Sequence, residues 1–176
     1  MKNIILVSSL ILLFSSCKTL VPFTENLKVE NKWSDNELKS IQFYNSNTII
    51  LHRELNNNET GIESGKIKII DGKEVEEIII QAKTPGVVTS LPSNKVAISF
   101  ELDDSHFLVF GIDPKRNNRY YLRLKEKYNP NTGAKVTYNN KVYQISNGSL
   151  NSFLMVNLKK INKEQRNLRV AKGRKL

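Results

Sequence analysis

The sequence has little of the residues from which many metal and redox sites are built. Among its 176 residues there are one cysteine and two histidines. A single cysteine excludes an intramolecular disulfide framework and any cysteine-rich zinc site. Two histidines leave few ways to build a site with several imidazole ligands or a histidine base. The composition thus excludes disulfide-stabilised scaffolds and cysteine-rich zinc proteins.

Common catalytic and nucleotide-binding motifs are also absent. The sequence has no Gly-x-Ser-x-Gly nucleophile elbow, no Walker loop and no dinucleotide-binding fingerprint. The stretch from Gly61 to Gly65 is not followed by a helical pattern, so a phosphate-binding loop is unsupported there. We therefore predict that the chain is not an enzyme, and we assign it no catalytic residue, no metal and no cofactor.

The N-terminus has the three parts of a secretory signal peptide. Lys2 supplies a short positive start, the mostly apolar run from Ile4 to Phe14 follows, and Ser15 and Ser16 are small. The run is too short for a permanent membrane-spanning helix, which needs about 20 apolar residues. The sequence therefore predicts export of the chain and removal of a leader over residues 1–16.

The only cysteine, Cys17, comes directly after these small residues. A thiol at this junction can be acylated by a lipid before the leader is cleaved ahead of it. More than one acyl chain makes such an attachment stable, because each buried methylene contributes about 0.8 kcal/mol. We predict that Cys17 carries a lipid anchor and begins the mature chain.

The junction resembles the lipobox of bacterial lipoproteins, in which a small residue precedes the acylated cysteine. Phe14 departs from the aliphatic residue usual three positions before that cysteine, whereas Ser16 fits. The high Asn, Lys and Ile content and the β-rich pattern are similar to outer-membrane lipoproteins of the Bacteroidota. The resemblance implies acyl groups such as palmitate on Cys17. In these lipoproteins, the signal for export to the cell surface is a lysine followed by acidic residues just after the cysteine. Lys18 is followed by no acidic residue before Glu25, so the resemblance also implies the periplasmic face of the outer membrane.

One short helix is predicted after a lipidated tether at residues 17–32. Ser34 and Glu37 form a capping-box pattern, in which each side chain can satisfy the other's backbone amide. The apolar spacing that follows predicts a helix over 35–44. We place a β domain at 33–158 and a basic tail at 159–176.

Strand patterns dominate the chain from Thr48 onward. Asp71-Gly72 and Asn139-Asn140 each separate two strand-like segments, which is typical of tight hairpins. The nearly continuous apolar run over 106–112 predicts a central strand, and prolines flanking 86–91 place that segment at an edge. We expect about eight to ten strands in an all-β fold, as an antiparallel β-sandwich or small barrel with one short N-terminal helix.

Two groups of residues resemble catalytic or metal-binding clusters. Asp103, Asp104 and His106 contain typical divalent-metal ligands, but aspartates also stabilise turns through their own backbone. His52 and Glu54 share one strand face and form a possible acid–base pair, but exposed pairs of this kind are common. We interpret the first group as a β-turn and the second as a surface ion pair.

Two further groups have structural interpretations. The acidic residues Glu74, Glu76 and Glu77 are expected to solvate the exposed face of a hairpin. Tyrosines are frequent in the C-terminal half, where they either line a ligand groove or pack across strands. We expect cross-strand packing for these tyrosines, which are Tyr120, Tyr121, Tyr128, Tyr138 and Tyr143.

The positive charge of the chain is concentrated at its C-terminus. The formal charge is +10, and residues 159–176 hold eight basic residues against one Glu. Three interpretations are open: a solvated end, a segment that binds anionic lipid or another acidic envelope component, or a strand that docks a protein partner. The basic residues are Lys159, Lys160, Lys163, Arg166, Arg169, Lys172, Arg174 and Lys175.

The anchor, the β domain and the tail together predict a lipid-anchored, non-enzymatic envelope protein that serves as a structural or docking subunit for another envelope component. The expected partners are the membrane, an envelope protein and an anionic lipid or polymer, but not nucleic acid. An alternative function is a small barrel that carries a lipid or other hydrophobic molecule, which requires an interior cavity. An enzyme acting on envelope polymers requires carboxylates or a histidine that converge in a cleft.

Overall fold

The computed structural model describes residues 19–55, 65–70, 72–130, 133–159 and 161–162. Its strands form two antiparallel sheets, and this confirms the predicted all-β sandwich. In spatial order, the seven-stranded sheet contains β1 (Val21–Pro22), β12 (Leu154–Val156), β2 (Phe43–Asn45), β6 (Pro85–Ser90), β7 (Lys95–Ser99), β8 (Phe107–Asp113) and β9 (Arg119–Leu122). The five-stranded sheet contains β10 (Ala134–Tyr138), β11 (Lys141–Ile145), β3 (Ile49–Glu54), β5 (Lys73–Ile80) and β4 (Lys66–Ile70).

The described residues contain twelve strands, more than the eight to ten expected. Three of them, β1, β2 and β12, have only two or three residues each, too few to show an alternating pattern. The outer strands of the larger sheet approach one another through isolated bridges, Thr24 to Arg119 and Tyr121 to Phe153. These bridges do not form a continuous ladder, so the sheet does not close into a barrel.

Aromatic side chains fill the core enclosed by the seven-stranded sheet. Phe23 is fully buried, and its ring centroid lies 4.6 Å from that of Tyr120 and 5.0 Å from that of Phe43. Trp33 stacks on the same ring at 6.2 Å. Phe23 follows β1 in the segment expected to be a tether, so this segment contributes directly to the core.

Two short α-helices precede the main run of strands. The predicted capping box is present at α2 (Asp35–Ser40), where the Ser34 amide donates to Glu37 Oε2 at 2.8 Å. The helix ends four residues earlier than predicted, because Phe43 and Tyr44 pair with β12 and are buried. The other helix, α1 (Glu25–Glu30), lies in the segment predicted to be a tether, so the prediction of a single helix is wrong. It begins after Thr24, whose side chain accepts from the Leu27 amide.

Both predicted hairpins are present. Gly72 lies between β4 and β5 with a φ of +76°, in the left-handed region that glycine adopts without steric strain. Asn139 and Asn140 lie between β10 and β11 with φ values of +45° and +58°. Asparagine tolerates this conformation better than most residues do. Asp71, the other predicted turn residue, lies outside the described residues.

The predicted edge position of residues 86–91 is wrong. Strand β6 lies between β2 and β7 inside the seven-stranded sheet. Pro85 is tolerated because it is the first residue of the strand and faces β2 over only two paired residues. Gly86 is required there, since a Cβ atom would come within 2.5 Å of Ile98 Cγ2.

The first and last strands of the chain are neighbours. In the register of β1 and β12, Val21 faces Val156 and Pro22 faces Met155. The chain therefore enters the sheet and leaves it side by side. Because neighbouring strands are antiparallel, β8 runs in the same direction as β12, so the loop before β8 lies at the opposite end of the sheet.

No helix among the described residues is long and apolar enough to cross a membrane.

Candidate functional site

A buried ion pair lies on the inner side of the five-stranded sheet. Arg53 of β3 faces Glu76 of β5 in the strand register, and its Nη2 lies 2.9 Å from Glu76 Oε2. Tyr143 of β11 donates its hydroxyl to the same oxygen at 3.0 Å. Glu76 is fully buried, and its other oxygen, Oε1, has no hydrogen-bond partner among the described residues. Such a carboxylate is tolerated in a protein interior only when it is paired.

This finding corrects the interpretation of the acidic hairpin residues. Glu74 is exposed as expected, but Glu76 and Glu77 are buried. Successive side chains of a strand point to opposite faces, so Glu76 turns inward and Glu77 turns outward. The outward Glu77 is covered by its own partners: Lys68 Nζ lies 2.5 Å from Oε1, and His52 Nε2 lies 2.9 Å from Oε2.

His52 does not form the acid–base pair considered from the sequence. Its partner is Glu77, whereas Glu54 pairs with Lys73 at 2.8 Å. The hydrogen bond from Lys68 is the largest cause that lowers the pKa of Glu77, and the bond from His52 follows. His52 is thus a member of a charged row on the outer face, as expected of a surface pair, but with a different carboxylate.

Two tyrosines connect Glu76 with the other sheet, and we call Arg53, Glu76, Tyr143, Tyr138 and Glu101 together the buried polar region. The rings of Tyr143 and Tyr138 pack edge to face with centroids 6.1 Å apart, and Tyr138 donates its hydroxyl to Glu101 Oε1 at 2.5 Å. Burial, followed by the negative charge of Glu76, raises the pKa of Tyr143 to about 12. Burial and the hydrogen bond to Glu101 also raise the pKa of Tyr138. Both phenols therefore stay protonated and act as hydrogen-bond donors.

The remaining predicted tyrosines lie elsewhere. Tyr120 packs in the aromatic core and donates its hydroxyl to Glu25. Tyr121 packs on Phe153 with centroids 5.4 Å apart. Tyr128 is half exposed. The expected packing of tyrosines across strands is thus found for most of the group, and only Tyr138 and Tyr143 belong to the buried polar region.

The loop between β7 and β8 contacts the buried polar region through Glu101. Asp103 accepts hydrogen bonds from the backbone amides of Ser105 at 2.8 Å and His106 at 3.0 Å, which is the turn expected from the sequence. His106 Nδ1 also lies 2.7 Å from Asp103 Oδ2. Hydrogen bonds, first from the Ser105 hydroxyl and then from His106, hold the pKa of Asp103 well below its usual range.

The structure changes the membership of the predicted metal-like cluster. Ligand atoms of Glu101, Asp103 and His106 all lie within 4.8 Å of one another, and Asp104 is not part of this group. Glu101 carries no metal-site signal in the sequence, because it alternates with the apolar residues 96, 98, 100 and 102, a pattern typical of the solvent side of a strand. Strand β7 ends at Ser99, so Glu101 belongs to a loop and turns toward Tyr138. Its partner is distant in sequence, and no local signal reveals it.

Two open grooves lie beside the charged residues described above, one next to His52 and one next to Glu101. A groove of about 580 Å³ lies against the outer face of the five-stranded sheet and is lined by His52, Lys73, Lys135 and Val142 among others. A second groove of about 490 Å³ is lined by Glu101, Phe100 and residues Ile78–Ile80 of β5. Both are open to solvent along the side of the sandwich, whereas the largest buried side chains fill the interior.

The residues predicted for lipidation and for surface binding lie mostly outside the described residues. These are Cys17 and seven of the eight basic tail residues. Lys159, the first basic residue after β12, is described and exposed.

No protein-family model, curated protein sequence or solved structure matches the chain.

Proposed function

We propose that the chain is a lipid-anchored, non-enzymatic envelope protein that acts as a structural or docking subunit for another envelope component. Acyl chains on Cys17 would hold it on the periplasmic face of the outer membrane. The observation that supports this proposal best is the pairing of Val21 with Val156, which brings the two ends of the folded domain together.

This pairing relates the anchor to the basic tail. Cys17 lies four residues before Val21, a segment that spans at most about 14 Å when extended. Lys159 lies only three residues after Val156. An anchor at Cys17 would thus keep the beginning of the tail close to the lipid surface. Each basic residue near an anionic membrane surface contributes about 1 kcal/mol, so the tail would reinforce the acyl anchor.

With the chain ends at the membrane, the same topology would place the opposite end of the domain away from the lipid surface. The β7–β8 loop lies at the end of the sheet opposite to the anchored end. Two exposed apolar residues, Ile79 and Val142, lie on the outer face of the five-stranded sheet. These surfaces would be accessible to an envelope partner, which supports a docking role.

The carrier alternative has less support. A carrier of hydrophobic molecules needs an enclosed apolar cavity, as small ligand-binding barrels have. In the described part of the chain, the interior is occupied by large side chains such as Phe23, Phe110 and Tyr120. The open grooves along the sandwich are lined by both charged and apolar residues.

Membrane attachment is tested by fractionating cells that express the full chain or its Cys17→Ser variant. We expect the unchanged chain in the outer-membrane fraction and the variant absent from it, with its leader uncleaved because acylation precedes cleavage. The tail is tested with vesicles of phosphatidylethanolamine and phosphatidylglycerol and with neutral phosphatidylcholine vesicles. We expect a chain that begins at residue 18, without leader or anchor, to float with the anionic vesicles only, and to lose this binding when the eight basic tail residues become Gln.

A matched control distinguishes binding by the basic tail from binding by any positive charge on the protein. Lys66, Lys83, Lys125 and Lys127 are exposed lysines of the folded domain. Their replacement by Gln is expected to leave flotation nearly unchanged. Equal losses from this change and from neutralising four tail residues would contradict a specific role of the tail.

Docking is tested with a photo-reactive amino acid at position 79 or 142, and at Val29 on α1 as the control position. We expect a discrete adduct with one envelope protein from the two sheet positions in intact cells. Recovery of the monomer alone from every position, also in several mild detergents, would argue against a docking subunit.

A further inference from the structure

We propose that Glu101, Asp103 and His106 form a binding site for a first-row divalent cation such as Zn²⁺ or Mn²⁺. Each residue offers one ligand atom, and the three atoms lie within 4.8 Å of one another. Ligands about 2.1 Å from a tetrahedral metal are separated by about 3.4 Å. Binding would open the 2.7 Å contact between Asp103 Oδ2 and His106 Nδ1, and small side-chain movements would bring all three atoms into the first coordination sphere.

Residues outside the ligand set position each ligand. Ser99 donates its hydroxyl to the carbonyl oxygen of Asp103 at 2.7 Å and thereby fixes the loop. The buried Tyr138 donates to Glu101, and its ring packs edge to face on the His106 ring at 5.3 Å. Such contacts behind a ligand set its orientation, and their loss typically weakens metal binding 10–100-fold.

The charge at the loop favours a cation. Two carboxylates lie close together here in a chain whose formal charge is +10. Among the described residues, no ion pair joins a lysine or arginine to Glu101 or Asp103, whereas Glu54, Glu76, Glu77 and Asp113 all have such a partner. Asp103 is instead paired with His106, whose Nδ1 lies 2.7 Å from Oδ2. A divalent ion would take the place of that contact and balance the charge of both carboxylates.

The donor set indicates the class of metal. An imidazole nitrogen suits zinc and its neighbours in the first row, and carboxylates also suit manganese. His106 is mostly shielded, with 12% of its side chain exposed, whereas Asp103 is 49% exposed. The open side of the site leaves room for water molecules to complete the coordination sphere, as in zinc sites with three protein ligands.

Isothermal titration of the full chain, purified without a histidine tag, tests this site with ZnCl₂ and MnCl₂, and with MgCl₂ as the comparison. We expect one saturable site for Zn²⁺ or Mn²⁺. Glu101→Gln and His106→Gln should each weaken binding at least 10-fold, because each removes one ligand. Tyr138→Phe should weaken it about 10-fold through the orientation of Glu101.

Two control variants share the chemistry but lie outside the site. Asp104→Asn changes the adjacent exposed carboxylate, and His52→Gln changes the only other histidine. Both should bind the metal as the unchanged chain does. Circular dichroism and urea unfolding establish that each variant is folded before titration.

Absence of saturable binding in the unchanged chain would overturn the proposal. Equal affinity in the unchanged chain and the folded Glu101→Gln and His106→Gln variants would also overturn it. Loss of binding in His52→Gln but not in His106→Gln would move the metal to the outer face of the sheet and contradict this assignment. None of these results depends on acylation of Cys17, so they leave the proposed membrane role untouched.

Discussion

The core between the two sheets has two parts of different chemistry. Against the seven-stranded sheet, Phe23, Phe43 and Tyr120 form a close aromatic cluster. Against the five-stranded sheet, the buried space also contains Glu76 and Arg53. The first region gains stability from removing apolar surface from water, which depends little on direction. The second depends on geometry, because a buried charge is tolerated only while its partner remains in place.

The two parts of the core differ in their tolerance of substitution. An apolar cluster accepts moderate changes of shape, whereas a buried polar network is sensitive to the loss of any member. The polar region also reaches the surface at the β7–β8 loop, through Tyr138 and Glu101. We therefore expect the aromatic core to determine the stability of the domain and the polar region to determine the arrangement of the loop.

The largest effect is expected in the aromatic core. Phe23→Ala removes a fully buried ring in contact with three other aromatic rings, and should lower the free energy of unfolding by about 4 kcal/mol. Urea unfolding measures this change. Leu102→Ala is the control, because Leu102 is fully exposed and its loss should change stability by less than about 0.5 kcal/mol. Similar losses in both variants would contradict the assignment of Phe23 to the core.

The next effect concerns the buried ion pair. Arg53→Met leaves the Glu76 carboxylate without its cation and should destabilise the fold by about 3 kcal/mol. The double variant Arg53→Met with Glu76→Leu removes both charges and should recover most of that loss. Urea unfolding of the two single variants and the double variant gives the coupling energy. A double variant as unstable as the sum of the single variants would show that the two charges do not interact.

A smaller effect is expected at the tyrosine that joins this pair. Tyr143→Phe removes one hydrogen bond to the Glu76 carboxylate and should cost about 1.5 kcal/mol. Tyr128→Phe serves as the matched control, since Tyr128 is half exposed and the change should be nearly neutral. A neutral result at both positions would show that Arg53 alone satisfies Glu76.

The smallest effect is expected on the outer face. Lys68 and His52 hold the pKa of Glu77 below its ordinary value of 4.5. A carboxyl group with a lowered pKa in the folded state stabilises the fold above its unfolded-state pKa, and this contribution disappears as the pH falls through the lower value. Glu77→Gln should therefore weaken the loss of stability between about pH 5 and pH 3. Urea midpoints over this range measure the change, and identical acid limbs would contradict the pairing.

Local signals in the sequence account for much of the fold. Gly72 marks one hairpin, and Asn139 with Asn140 marks another, because these residues tolerate positive φ. Ser34 marks a helix start through its capping box. The errors occur where contacts between distant segments override local pattern. Tyr44 continues a helical spacing but pairs with β12, and β6 begins with a proline but lies within a sheet. Such pairings are set by the whole sandwich.

The candidate site was less predictable for the same reason. Asp103 and His106 are close in sequence, so the sequence alone groups them and predicts their turn. Glu101 joins them through a tyrosine 37 residues away, and Glu76 is buried through an arginine on another strand. The sequence around each glutamate predicts a solvent-exposed side chain, because the partner that buries it lies in a distant segment.

The most direct test of the proposed function is the intact mass of the protein isolated from the membrane fraction. The account predicts a chain that begins at Cys17, with acyl groups attached to that residue. A free thiol at Cys17, or an uncleaved leader on protein from the cytosol, would contradict it.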